Sequence, residues 1–191
     1  IAATPTVNQP LPFKAGETLT FDISFSKLIF SGTVGDLTLT VSKPAGEPQT
    51  EAKKQPERLE LQAEANSKGF FPKLIGLKVK DRYTSIVSAI DLGLHSSTKT
   101  IEEGGTRKEQ TSIIDREAGR VTFTDRDLAN AKAEPKTKQA PSPAWVQDMI
   151  SACYFVRTQK LREGDAIPIP ISDGGAVYNI EVLVDKREEV K

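Results

Sequence analysis

Few residues in this chain combine a type and a spacing that could do chemistry. His95 is the sole imidazole, in Leu94-His95-Ser96-Ser97. A nucleophilic triad needs a serine or cysteine brought against such a ring, and no motif around His95 arranges that. It reads as a strand or surface histidine. Cys153 is the single cysteine, so the chain has no internal disulfide. A lone sulfur also falls short of the clustered ligands of a structural zinc site, and no metal or cofactor is expected. An activated thiol needs an electropositive, accessible setting. Cys153 instead falls among apolar residues, where it should act as a small hydrophobe.

Carboxylate pairs occur at Asp125 and Asp127, Glu102 and Glu103, and Glu188 and Glu189. Acid–base catalysis needs two carboxyls in contrasting environments, and neighbours in a polar run share one, so these read as solvated charge. Asp125-Arg126-Asp127 lacks the ligand density of a calcium loop. The glycine pairs at Gly104 and Gly174 suit turns and match no phosphate-binding loop. Asp148, Tyr154, Arg157 and Arg162 could form a polar network, with pairing along a helix surface as the simpler account. Phe70, Phe71, Trp145, Tyr154 and Phe155 form an aromatic set that could line a ligand pocket. Their ordinary role would be core. No catalytic constellation emerges, and a noncatalytic protein is expected.

These residues need elements to position them. Leu19, Phe21, Ile23 and Phe25 alternate with Thr20, Asp22 and Ser24, the pattern of a half-buried strand. Gly32 and Gly35 mark a bend or bulge, after which Leu37, Leu39 and Val41 resume the alternation as an antiparallel partner. Residues 43–57 hold three prolines and no large apolar side chain, which predicts a solvated loop. Leu59, Leu61, Ala63 and Ala65 predict a third strand. Residues 70–76 fit either one helical turn or a strand crossover, and residues 77–90 predict a further strand. Residues 107–114 and 120–124 flank a turn and make a hairpin with Ile113, Val121 and Phe123 facing inward. Residues 128–141 read as a second long loop.

Ser142-Pro143 supplies a capping hydroxyl followed by a proline suited to the first helical position, and so predicts a helix start. Trp145, Met149, Ala152 and Val156 would line its buried face, flanked by Val146, Ile150 and Cys153, with Gly164 as its C-terminal cap. Residues 167–171 and 176–184 alternate across Ser172-Asp173-Gly174-Gly175 and predict a closing hairpin. The expected fold is mainly β: a curved antiparallel sheet or incomplete β-barrel with one long helix on its concave face. Residues 1–15 are expected to form an extended N-terminal segment. Residues 16–191 should form a single β-rich domain, with further strands beyond Lys191 completing the sheet.

Length and charge set outer bounds. The chain has 191 residues, 37% of them hydrophobic, with 26 Lys+Arg against 26 Asp+Glu. A single fold of this size removes roughly 70% of the unfolded chain's surface from water. The cancelled charge argues against a nucleic-acid partner or a strongly cationic membrane surface. No apolar run approaches the roughly 20 residues of a transmembrane helix.

Three passages together resemble the bacterial domain-of-unknown-function family numbered 3108. They are residues 16–23 (GETLTFDI), Asp81-Arg82-Tyr83-Thr84-Ser85 leading to Asp91, and residues 148–157 (DMISACYFVR) with Leu161 and Gly164 beyond. The resemblance implies an exported, periplasmic or secreted protein with a long curved sheet and a helix on its concave side. It implies no reaction and no catalytic residue. The functional expectation is a noncatalytic binding or scaffolding module of the cell envelope, whose partner is an envelope component or an apolar small molecule. The alternatives are a carrier holding a lipid between sheet and helix, and an envelope hydrolase.

Overall fold

The computed structural model describes residues 7, 9–27, 30–45, 57–69, 76 and 78–189. Its strands are β1 (Thr18–Lys27), β2 (Phe30–Ser42), β3 (Arg58–Ser67), β4 (Lys80–Ser88), β5 (Leu94–Glu103), β6 (Thr106–Asp115), β7 (Arg120–Asp127) and β8 (Lys136–Pro141). After them come helix α1 (Met149–Val156) and the strands β9 (Ala166–Asp173) and β10 (Ala176–Leu183). The first eight strands form one antiparallel sheet in sequence order, and β9 and β10 form a separate hairpin. Among the described residues the large sheet does not close, so β1 and β8 remain its two edges. The mainly β expectation holds, as an open sheet rather than a barrel.

Register explains why one face is buried. Val41 lies opposite Leu61, and Leu59 opposite Val87, which in turn lies opposite Leu94. Across the sheet Ile114 faces Val121, and all of these side chains belong to one core cluster. Opposed residues of an antiparallel pair share a face, so the matched rows make the inner, concave face apolar at one end. One row further along, Ser85 is opposite Ser97, and Ser97 opposite Ser112. These three small polar side chains are all buried. The hairpin lies over the same face: a Cβ on Gly175 would meet Phe123 and Lys138 at 3.2 Å, and Asp173 ion-pairs with Lys99.

Several expectations need correction. The helix does not begin at Ser142: β8 runs to Pro141, and α1 starts after the N-cap Asp148. The residues between pass through a bend at Ala144 and Trp145 and then a single β-bridge at Gln147. Val146 O accepts from Leu94 N at 3.0 Å, and Gln147 exchanges hydrogen bonds with Pro170 O and Ser172 N at 2.9 and 2.8 Å. The segment therefore fills a strand-like slot between β5 and β9, and backbone bonds on both sides override the local helix-start pattern. Trp145 is buried, but from the bend ahead of α1 rather than from a helix.

Gly164 does not cap α1, which ends at Val156 with Arg157 as its C-cap. Its φ of +86° instead turns the chain into β9, with its N–H bonded to Val184 O. Met149 is 55% exposed and Cys153 is exposed, so the buried face of the short helix carries Ala152, Tyr154 and Phe155. Ile113 points outward at 63% exposure, while Ile114, Val121 and Phe123 point in. With two adjacent isoleucines, a slip of one position exchanges the faces. Residues 136–141, expected to belong to a long loop, form β8. Their lysine-rich composition is that of a polar edge strand.

Candidate functional site

The site is built where the helix start meets the serine row. Asp148 caps α1 by accepting from Ser151 N at 2.8 Å, while its own N–H donates to Ser151 Oγ at 2.9 Å. These two reciprocal bonds satisfy backbone donors that an open helix end would leave exposed. The other carboxyl oxygen, Oδ2, accepts from Ser85 Oγ of β4 at 2.5 Å. Asp148 thus ties the helix end to the middle of the sheet, where it is 4% exposed.

Beside this tie opens a cleft of about 310 Å³. Leu37, Ala63, Tyr83, Ser85, Ser97 and Lys99 form its floor on β2 to β5, and Asp148, Met149 and Ile150 form its helical wall. The floor is apolar toward β2 and hydroxyl-bearing toward β5. Lys99 Nζ lies 5.7 Å from the Tyr83 ring centroid and is paired with Asp173. Burial, and after it the charges of Asp81, Glu103 and Asp173, push the Tyr83 hydroxyl above its ordinary pKa, so at neutral pH it is a hydrogen-bond donor. Phe21, Ile23 and Phe25 of β1, at 48%, 42% and 46% exposure, continue the apolar floor outward, Phe21 standing opposite Leu37.

Of the aromatic set named from the sequence, Phe70 and Phe71 lie outside the described residues. Trp145, Tyr154 and Phe155 are buried in the core cluster and do not line the cleft. Trp145 packs edge-on to Phe155 with centroids 4.8 Å apart, and its Nε1–H donates to Asp91 O at 2.8 Å. Tyr154 meets Phe13 edge-on at the same separation. The cleft residues were missed because they arrive from separate strands. Their one sequence trace is serine at inward-facing positions, where an apolar residue is the norm.

The polar residues around the helix pair across the fold. The Arg157 guanidinium reaches both carboxyl oxygens of Glu17, at 2.6 and 3.1 Å, and lies 5.2 and 5.1 Å from the Phe13 and Tyr154 rings. The Arg162 N–H donates to Asp165 Oδ2 at 2.8 Å, and its carbonyl accepts from Asp165 N at 3.0 Å. His95 belongs to β5 and does not line the cleft. Cys153 sits one turn from Asp148. Although the residue is exposed, desolvation of its sulfur by the surrounding protein, with the Asp148 charge second, raises its pKa and disfavours the thiolate. Among the described residues no cluster of His, Cys, Asp and Glu could hold a metal ion, and no helix is long and apolar enough to cross a membrane.

The three passages that carry the family resemblance meet here. Glu17 of the first grips Arg157 of the third, and Ser85 of the second bonds Asp148 of the third. In class the molecule is an open antiparallel sheet whose inner face is closed by a short capped helix and a hairpin. Residues 20–191 match the family described as protein of unknown function, DUF3108, and the chain belongs to that family. No curated protein and no solved structure matches it.

Proposed function

We propose that the chain is a noncatalytic binding module of the cell envelope that holds an apolar ligand between the inner face of the sheet and the start of α1. The observation that carries this reading is the cleft itself. Its volume is at the small end of the range for ligand sites, and it combines apolar walls with a few convergent polar groups. The apolar part would receive a hydrocarbon portion over Leu37 and Ala63, with Ser97 and Tyr83 as hydrogen-bonding groups at the far end. A periplasmic or secreted location rests on the export that the family resemblance implies.

The noncatalytic reading is supported by how the polar groups of the cleft are engaged. Both oxygens of the Asp148 carboxyl are engaged, by Ser151 and by Ser85, and Lys99 is engaged by Asp173.

The test is native mass spectrometry of the whole chain, purified from envelope extracts without a delipidation step, alongside Ala63→Leu. Ala63 lines the cleft and is 1% exposed, so three added carbons occupy the space a ligand would use. Retained apolar adducts on the wild type that disappear in Ala63→Leu are the expected result. A clean apo mass for the wild type, together with no uptake of added dodecanoic acid, would overturn the proposal.

A further inference from the structure

We infer that β1 is a self-association edge, at which two copies of the chain pair antiparallel about a two-fold axis through Ile23. The two edges of the large sheet are built differently. β8 is six residues long, contains Lys136 and Lys138, ends in Pro141, and is packed by β10. Short length, lysine and proline are the usual means of keeping an edge from pairing. β1 has ten residues, no proline, and no lysine before its last position. Its only partner strand among the described residues is β2.

The sequence of β1 selects one register against itself. Opposed residues in an antiparallel pair share a face, so the two inner faces stay aligned only if odd positions meet odd positions. Centring the pair on Asp22 would set two carboxylates directly opposite each other, and centring it on Phe21 or Ser24 would set a phenylalanine against Glu17 or Lys27, all unfavourable. Centring it on Ile23 sets Ile23 against Ile23, Phe21 against Phe25 on both sides, and Asp22 against Ser24. Three half-exposed apolar side chains per copy then become cross-strand neighbours, while Asp22 keeps its 2.6 Å bond from Lys68.

Each half-exposed ring brings roughly 100 Å² to such a contact. With the strand backbone, the pair buries on the order of 1,000–1,200 Å² over both copies, the low end for a specific interface. The expected object is therefore a weak, concentration-dependent dimer. It joins two sheets edge to edge and sets the two apolar strips side by side.

The experiment is sedimentation velocity on the full chain over a dilution series, with Ile23→Lys as the disrupting variant. Ile23 is a partly exposed surface position, so the monomer should fold, and circular dichroism checks that it does. A reversible dimer that Ile23→Lys weakens by about tenfold or more supports the assignment. In a Cys153→Ser background, Ile23→Cys should oxidise to a covalent dimer. Phe21→Cys should not, because its two copies would lie about four residues apart along the strands, on the order of 13 Å. A chain that stays monomeric at every concentration, a dimer indifferent to Ile23→Lys, or equal cross-linking by Phe21→Cys would each overturn it.

Discussion

Replacing Asp148 by alanine removes two kinds of support at once, and the structure allows each to be sized. Loss of the N-cap costs about 1 kcal/mol. Loss of the acceptor for Ser85 Oγ, which is 1% exposed, leaves a buried hydroxyl unsatisfied at about 1–3 kcal/mol. The sum is about 2–4 kcal/mol, which for a chain of this size lowers the melting temperature by roughly 5–15 °C. The assay is urea unfolding followed by the emission of Trp145, the single tryptophan and a buried one. Asparagine caps helices about as well as aspartate, so Asp148→Asn should recover the capping share. In a double-mutant cycle, Ser85→Ala and Asp148→Ala should fall short of additivity by about 1 kcal/mol or more. A loss below about 0.5 kcal/mol for Asp148→Ala, or strictly additive effects, would refute the idea that this carboxyl joins helix to sheet.

Two further outcomes follow from contacts around the β4–β5 turn. Trp145→Ala should cost about 3–5 kcal/mol, and Trp145→Phe about 1–2 kcal/mol through the lost bond to Asp91 O, both read from circular dichroism melts; a Trp145→Phe cost near zero would mean that the indole bond contributes nothing. Burial acts to raise the pKa of Asp91, but the hydrogen bonds from Arg116 and Gly93 and the Arg116 charge outweigh it and hold the carboxyl below its ordinary value. A group depressed by folding adds stability that is present above its unfolded pKa, about 4, and is lost as pH falls through the folded value. Stability measured from pH 6 downward should thus decline more steeply below about pH 4 in the wild type than in Arg116→Met, and parallel curves would remove the pair from the acid response.

The fold was readable wherever one face is buried and the other solvated. Leu19 to Phe25, Leu37 to Val41 and Leu59 to Ala65 alternate because their odd positions face the concave side, and β1 to β3 lie where the alternation places them. The reading failed where long-range backbone pairing overrode local chemistry. Ser142-Pro143 has the composition of a helix start, yet hydrogen bonds with Leu94 and β9 hold Val146 and Gln147 between two strands. The true start has its own signature, Asp148 with Ser151 three residues on, which is locally weaker than the serine–proline pattern six residues earlier. The cleft could not be read at all: Leu37, Ala63, Tyr83 and Lys99 share it through register alone, which no local window contains.

The 140-residue separation between Glu17 and Arg157 has a consequence for how the molecule forms. The eight sheet strands join neighbour to neighbour, so they can zip up in order as synthesis proceeds, each step closing a short loop. The cover of the inner face comes from residues 145–183 and cannot arrive before those residues exist. A nascent chain therefore carries an uncovered greasy trough through most of its elongation, and sealing that trough is its last folding event. Any helper that protects the newborn chain from aggregation has its work concentrated in that interval.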